Sequence, residues 1–121
     1  MAAKILAVVD DIFFLAKIQG TAKQLGIIVE PVAPDALEGQ LAADKAGAVV
    51  LDLNHRSGKA IASLEKLKSD SATRAIPVVG FLSHVQTDLA QAAHAAGCDR
   101  VMARSAFSQQ LPALLQELAE Q

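Results

Sequence analysis

The sequence predicts an α/β domain built on a five-stranded parallel sheet with helices on both faces. Three observations carry that expectation. Short apolar runs alternate with longer segments whose apolar residues recur every three or four positions. The runs, such as Ile5 to Val9 and Ile76 to Leu82, are continuous, as strands buried on both faces are. Helix-stop and strand-stop residues, among them Gly26, Pro34 and Gly97, fall between the segments.

Taken in order, strand one spans Ile5 to Val9. Helix one aligns Leu15, Ile18, Ala22 and Leu25 on one stripe and stops at Gly26. Strand two covers Ile27 to Val32, and its Glu30, Pro31 and the following Pro34 suit a sheet edge. Helix two starts near Asp35 with Leu37 and Leu41 one turn apart, and strand three is Ala48 to Leu51. Helix three turns Ile61, Leu64 and Leu67 inward and leaves Lys59, Glu65, Lys66 and Lys68 as a solvated face. Strand four is Ile76 to Leu82, helix four runs from Thr87 to Ala96, and strand five is Arg100 to Ala103. A fifth helix carries Leu111, Leu114, Leu115 and Leu118. No linker or low-complexity tract interrupts the alternation, so residues 1–121 read as one domain.

Composition narrows the function. Of 121 residues, 52% are hydrophobic and 20% charged, which favours a packed core over disorder. A formal charge of −2 with scattered basic residues argues against a phosphate-backbone binder. Aromatic residues are 3%, all Phe, which disfavours base stacking. The single cysteine, Cys98, cannot form an internal disulfide and reads as a small core residue. No leader pattern opens the chain and no apolar run approaches the roughly 20 residues of a membrane helix, so the cytoplasm is the expected compartment.

The carboxyl ends of parallel strands share one edge, where open α/β sheets bind ligands. Asp10 and Asp11 follow strand one, and Asp52 follows strand three. Singly, each Asp of the first pair is equally well read as a helix cap. Three acids brought together, if strands one and three are neighbours, need a proton or a cation. A hard ion such as Mg²⁺ answers that need with carboxylates, waters and phosphate oxygens.

These residues also carry a resemblance. KILAVVDD (Lys4 to Asp11) and VVLDLN (Val49 to Asn54) resemble the first strand with its acidic pair, and the phosphoacceptor strand, of response-regulator receiver domains. ATRAIPVVGFLSHV and AAGCDRVMAR resemble that family's fourth strand and its passage from helix four into strand five. The resemblance implies a flavodoxin-like strand order of 2-1-3-4-5. It also implies Asp52 as the phosphorylated residue, and Mg²⁺ held by Asp10, Asp11, Asp52 and the backbone carbonyl of Asn54. A histidine kinase or phosphotransfer protein would be the partner. The activity implied is phosphoryl acceptance with slow self-hydrolysis, not conventional enzyme turnover. Association, including a homodimer, would use helix four, strand five and helix five.

The departures are as informative. Arg104 stands where the family has lysine, a planar fork in place of a point charge. It is expected to bind phosphate, pair with Asp52, or point to solvent. Ser105 replaces the family proline, and a Phe arrives one place late as Phe107, so the loop after strand five should be rebuilt. Leu82 holds the switch-hydroxyl position and Val101 the switch-aromatic position. Ser83 is one place off, and in an unbroken strand its hydroxyl should point elsewhere. His55 and Arg56 replace the usual neighbours of the acceptor, and His84 lies two places beyond the switch position. His55, His84 and His94 read as surface residues, without zinc spacing. Intact acids favour a phosphoacceptor, while Leu82, Val101 and Ser105 favour a pseudo-receiver that binds partners without phosphorylation. A metal-dependent phosphohydrolase would need a second Asp two residues after Asp52, where Asn54 stands.

Overall fold

The apolar runs form one all-parallel sheet of order β2-β1-β3-β4-β5 in the computed structural model, which describes residues 4–43, 46–83 and 86–120. The strands are β1 (Lys4–Val8), β2 (Val29–Pro31), β3 (Ala46–Asp52), β4 (Val78–Leu82) and β5 (Arg100–Ala103). Helix α1 (Ile12–Gln24) follows β1, and a 3-10 turn (Pro34–Ala36) leads into α2 (Leu37–Ala43). Helices α3 (Ala60–Ser69) and α4 (Thr87–Ala95) precede and follow β4, and α5 (Arg104–Gln109) and α6 (Leu111–Ala119) come after β5.

Alternation along the strands divides the core between the two faces of the sheet. Ile5, Val50 and Phe81 pack with Ile18 and Ala22 of α1 and the leucines of α6. Leu6, Leu51 and Leu82 pack on the opposite face with Leu41 of α2, Leu64 and Leu67 of α3 and Ala93 of α4. Gly80 stands mid-strand because a Cβ there would meet Leu53 and the Cys98 Sγ at 3.0–3.2 Å. Cys98 is buried, as expected. Gly26, with φ +73°, ends the α1 region in a conformation that favours glycine.

Strand order and helix placement agree with the expectation, and the differences have physical causes. Strand two shrinks to an edge of three residues, although the Val32 N–H still donates to the Ala7 carbonyl at 2.9 Å. The loop expected after strand five is instead helix α5, which begins at Arg104 itself. A kink at Gln110 separates α5 from α6, because the ring of Pro112 would clash with the preceding turn of a continuous helix. Leu111, Leu114, Leu115 and Leu118 are all buried, so α6 turns its leucines to the core. No helix among the described residues is long and apolar enough to cross a membrane.

Lys68 corrects the reading of helix three as a uniformly solvated charged face. Its side chain is only 12% exposed. The ammonium donates to the carbonyls of Arg74 (3.0 Å) and Ile76 (2.8 Å) and to Asp99 Oδ2 (2.8 Å). Asp99 Oδ2 in turn accepts the Val78 N–H at 2.8 Å, so one lysine ties α3 to the starts of β4 and β5. Lys68→Ala should cost about 2 to 3 kcal/mol, chiefly because two carbonyls lose their donor. Lys59→Ala removes the exposed pair with Asp35 and should cost under about 1 kcal/mol. Urea unfolding midpoints of the two variants check the contrast.

Candidate functional site

Parallel pairing carries the ends of β1, β3, β4 and β5 to one edge of the sheet. There Asp10, Asp11, Asp52, Asn54 and Arg104 line a single open cleft of about 600 Å³, together with Ile12, Phe13, Arg56 and Ser83. Every residue expected to act is therefore in one place.

Asp52 is the last residue of β3, level with Phe81 of β4, and is only 5% exposed. Its Oδ1 accepts the Asn54 N–H at 2.9 Å. Burial raises its pKa above the ordinary 3.8, opposed by the N–H groups of Asn54 and Asp10 and by the charge of Arg104.

Asp11 is the N-cap of α1, its Oδ1 accepting the N–H groups of Phe13 (2.9 Å) and Phe14 (3.1 Å). Its Oδ2 accepts Arg104 Nη2 at 2.8 Å. The Phe14 N–H above all, with Arg104 and the Phe13 N–H, lowers its pKa against a smaller desolvation effect. Capping and membership of the acidic cluster, weighed as alternatives, are both realised in this one residue. Asp10 lies 3.5 Å from Arg56 Nε, a weak contact because the Arg56 side chain is 88% exposed.

The carboxylate that Arg104 contacts directly is not Asp52. Arg104 pairs with Asp11, and its guanidinium carbon lies 4.2 Å from the centroid of the Phe14 ring. Phe14 stacks in turn on Phe81 and Phe107 with centroids 5.0 and 5.8 Å away. The one-place delay of Phe107 is explained by α5: three residues past Arg104 on a helix, it turns back into the core and is fully buried.

Ser83 overturns a second expectation. β4 ends at Leu82, whose side chain is buried on the α3–α4 face. The next residue leaves the ladder and lines the cleft. Both the Ser83 N–H (2.7 Å) and its hydroxyl (3.0 Å) donate to Asn54 Oδ1. Asn54 Nδ2 donates to Gln86 Oε1 at 2.7 Å, just before α4. Ile12 and Phe13, 72% and 83% exposed, form an apolar rim that sequence reasoning passed over. The signal was present, since neither belongs to the stripe of Leu15, Ile18 and Ala22. His55 shares a hydrogen bond with Ser57 Oγ in its own turn, and His94 is exposed. His84 lies outside the described residues.

The donor set at this edge is carboxylate and carbonyl oxygen, the chemistry that hard divalent cations take. Among the described residues, however, no three His, Cys, Asp or Glu side chains are grouped so as to hold a metal ion. Arg104 and two backbone N–H groups already engage Asp11. The residues fit a hard cation in kind, and Arg104 must leave Asp11 Oδ2 to free that oxygen as a ligand.

No protein-family model matches the chain, and no curated protein matches it in sequence. Solved structures do match. The signal receiver domain of a DNA-binding response regulator from Colwellia psychrerythraea superposes with a TM-score of 0.84 at 21% identity, over 98% of this chain and 99% of that one. The fold is that of receiver domains. The receiver domain of a sensor histidine kinase from Pseudomonas aeruginosa, solved with magnesium in its active-site cleft, gives 0.84 at 16% identity over 100% of both chains. The phosphorylated cyanobacterial phytochrome response regulator RcpA gives 0.81 at 22%, over 99% of this chain and 93% of that one.

A raised pKa means that folded Asp52 holds its proton more tightly than the unfolded chain does. Its contribution to stability is full below the ordinary value of 3.8 and is lost as pH rises through the folded value. Asp52→Asn should therefore raise the thermal midpoint at pH 7 in chelator-treated buffer, with the gain disappearing below the ordinary value. Asp11, shifted the other way, stabilises above 3.8 and less so as pH falls through its lowered value. Asp11→Asn should lower the midpoint at pH 7. Melting curves of both variants between pH 3 and 7 read the opposite signs.

Proposed function

We propose that this chain is a signal receiver that accepts a phosphoryl group on Asp52 from a histidine kinase or phosphotransfer protein, with Mg²⁺ as cofactor. The carrying observation is the burial of Asp52 at the sheet edge, in one cleft with two further acids and Arg104. A structural match solved phosphorylated, and another with magnesium in its cleft, support the reading.

In this mechanism a carboxylate oxygen of Asp52 forms a bond to phosphorus while the bond from phosphorus to the donor's ring nitrogen breaks. The bonding electron pair returns to that imidazole. The Asn54 N–H orients the carboxylate, and Arg104 supplies positive charge beside the transferring group. Asp10, Asp11, Asp52 and the Asn54 carbonyl would hold the cation, whose chemistry when bound is to neutralise phosphoryl oxygens. The apolar rim of Ile12 and Phe13 gives the donor protein a surface to cover while its histidine enters the cleft.

The pseudo-receiver reading rests on a separate observation. Leu82 and Val101 pack together on the far face of the sheet, so neither switch position of the family carries its usual group. Phosphodonor chemistry separates the two readings. Incubation with acetyl phosphate and Mg²⁺ should add one phosphoryl group by intact mass, and Asp52→Asn should abolish the adduct. An unmodified wild-type protein would leave the pseudo-receiver.

Metal binding is read independently of phosphorylation. Millimolar Mg²⁺ should raise the thermal midpoint through preferential binding to the native state, and Asp11→Ala should remove the rise. An unchanged wild-type midpoint counts against the metal site.

A further inference from the structure

Phe14 acts on Asp11 from two directions. Its backbone N–H, in the first turn of α1, donates to Asp11 Oδ1 at 3.1 Å. Its ring carries the guanidinium of Arg104, whose central carbon lies 4.2 Å from the centroid, and Arg104 Nη2 donates to Asp11 Oδ2 at 2.8 Å. Both carboxylate oxygens of Asp11 are therefore occupied by donors that Phe14 supplies or supports.

The ring is a firm support. Phe81 and Phe107 hold it from β4 and α5, with centroids 5.0 and 5.8 Å away, so it presents a fixed face. The Arg104 side chain is 30% exposed, whereas that of Arg56, 3.5 Å from Asp10, is 88% exposed. An ion pair partly withdrawn from water onto an aromatic face outlasts a freely solvated one. Arginine suits the place because its planar, weakly hydrated guanidinium stacks on a ring, while a lysine ammonium keeps its water. A divalent cation drawn to Asp11 Oδ2 meets this positive charge already in contact with the same oxygen.

We propose that Phe14 is a positioning residue that seats Arg104 on Asp11, and that the seated guanidinium competes with the divalent cation for Asp11 Oδ2 and so sets how much cation the cleft needs. The proposal rests on the cation site of the proposed function and adds what regulates its occupancy. Cation binding and release of Arg104 from the ring are one event. Any change that loosens the seat without removing charge therefore tightens the site.

The test is the affinity for Mn²⁺, a probe that takes oxygen ligands, read from the electron paramagnetic resonance of the free ion in wild type, Phe14→Leu and Arg104→Lys. Both variants keep every formal charge of the cleft and weaken the stacking. Each should bind Mn²⁺ about three- to fivefold more tightly than wild type, the size of a part-exposed cation–π contact. Cooperative melting in chelator-treated buffer checks that Phe14→Leu is folded; if it is not, Arg104→Lys, at a part-exposed side chain, decides alone. A second reading is the Arg104 Nε proton by NMR. The ring current of Phe14 should hold it upfield in metal-free wild type, and saturating Mg²⁺ should move it downfield. A folded variant that binds Mn²⁺ only as tightly as wild type, or an Arg104 proton unmoved when the cation binds, overturns the seat and leaves the metal site standing. Absence of Mn²⁺ binding in all three proteins overturns both.

Discussion

A carboxylate withdrawn from water at the end of β3 is the constraint around which the rest of this sheet edge is arranged. Asp52 is nearly inaccessible, and two more acids lie in the same cleft. Burial disfavours the ionised form, the one that would attack phosphorus under the proposed function. The fold counters with local donors. N–H groups of Asn54 and Asp10 lower the pKa of Asp52, those of Phe13 and Phe14 serve Asp11, and Arg104 adds a full positive charge. These contributions do not abolish the penalty, since the pKa of Asp52 remains raised. A site left short of positive charge is chemically suited to a cation, which an incoming anionic phosphoryl group would also require.

Arg104 can serve there because an aromatic slab supports it. Phe14, Phe81 and Phe107 come from α1, β4 and α5 and stack within 4.9–5.8 Å of one another. The face of Phe14 carries the guanidinium. A lysine ammonium in this position would be compact and strongly hydrated, whereas the flat guanidinium tolerates partial desolvation on a ring. The change from the family's lysine thus comes with a rebuilt neighbourhood: Ser105 allows α5 to start at once, and α5 delivers Phe107 to the slab. Three departures seen in the sequence are one structural adjustment.

Helix placement was legible from periodicity, whereas the strand order and the gathering of Asn54 and Arg104 with Asp10, Asp11 and Asp52 were implied by the resemblance to receiver domains. What was not legible depends on geometry beyond periodicity. Lys68 has the spacing of an exposed charge, and only the fold shows the two carbonyls and Asp99 waiting within its reach. The partner of Arg104 was missed because the charges alone do not distinguish Asp11 from Asp52. Ser83 was misread because the position of Leu82 was taken to face the site; Leu82 is buried on the other face, and Ser83, the next residue, lines the cleft.

The two faces of the sheet edge now have different fates. On the side of Asp52 the cleft holds three acids, Arg104 and hydrogen-bond donors, the groups that the proposed phosphoryl chemistry would use. On the other side Leu82 and Val101 present aliphatic side chains to a groove beside α4. A phosphoryl group can move a distant surface only if its contacts differ between two conformations. Leu82 has no donor to turn toward it and Val101 no ring to follow. Ser83, Asn54 and Gln86 form a hydrogen-bonded chain that ends just before α4. Under the proposed function, chemistry and long-range relay are separable: the acids and Arg104 line the cleft, while Leu82 and Val101 lack the groups that such a relay would need.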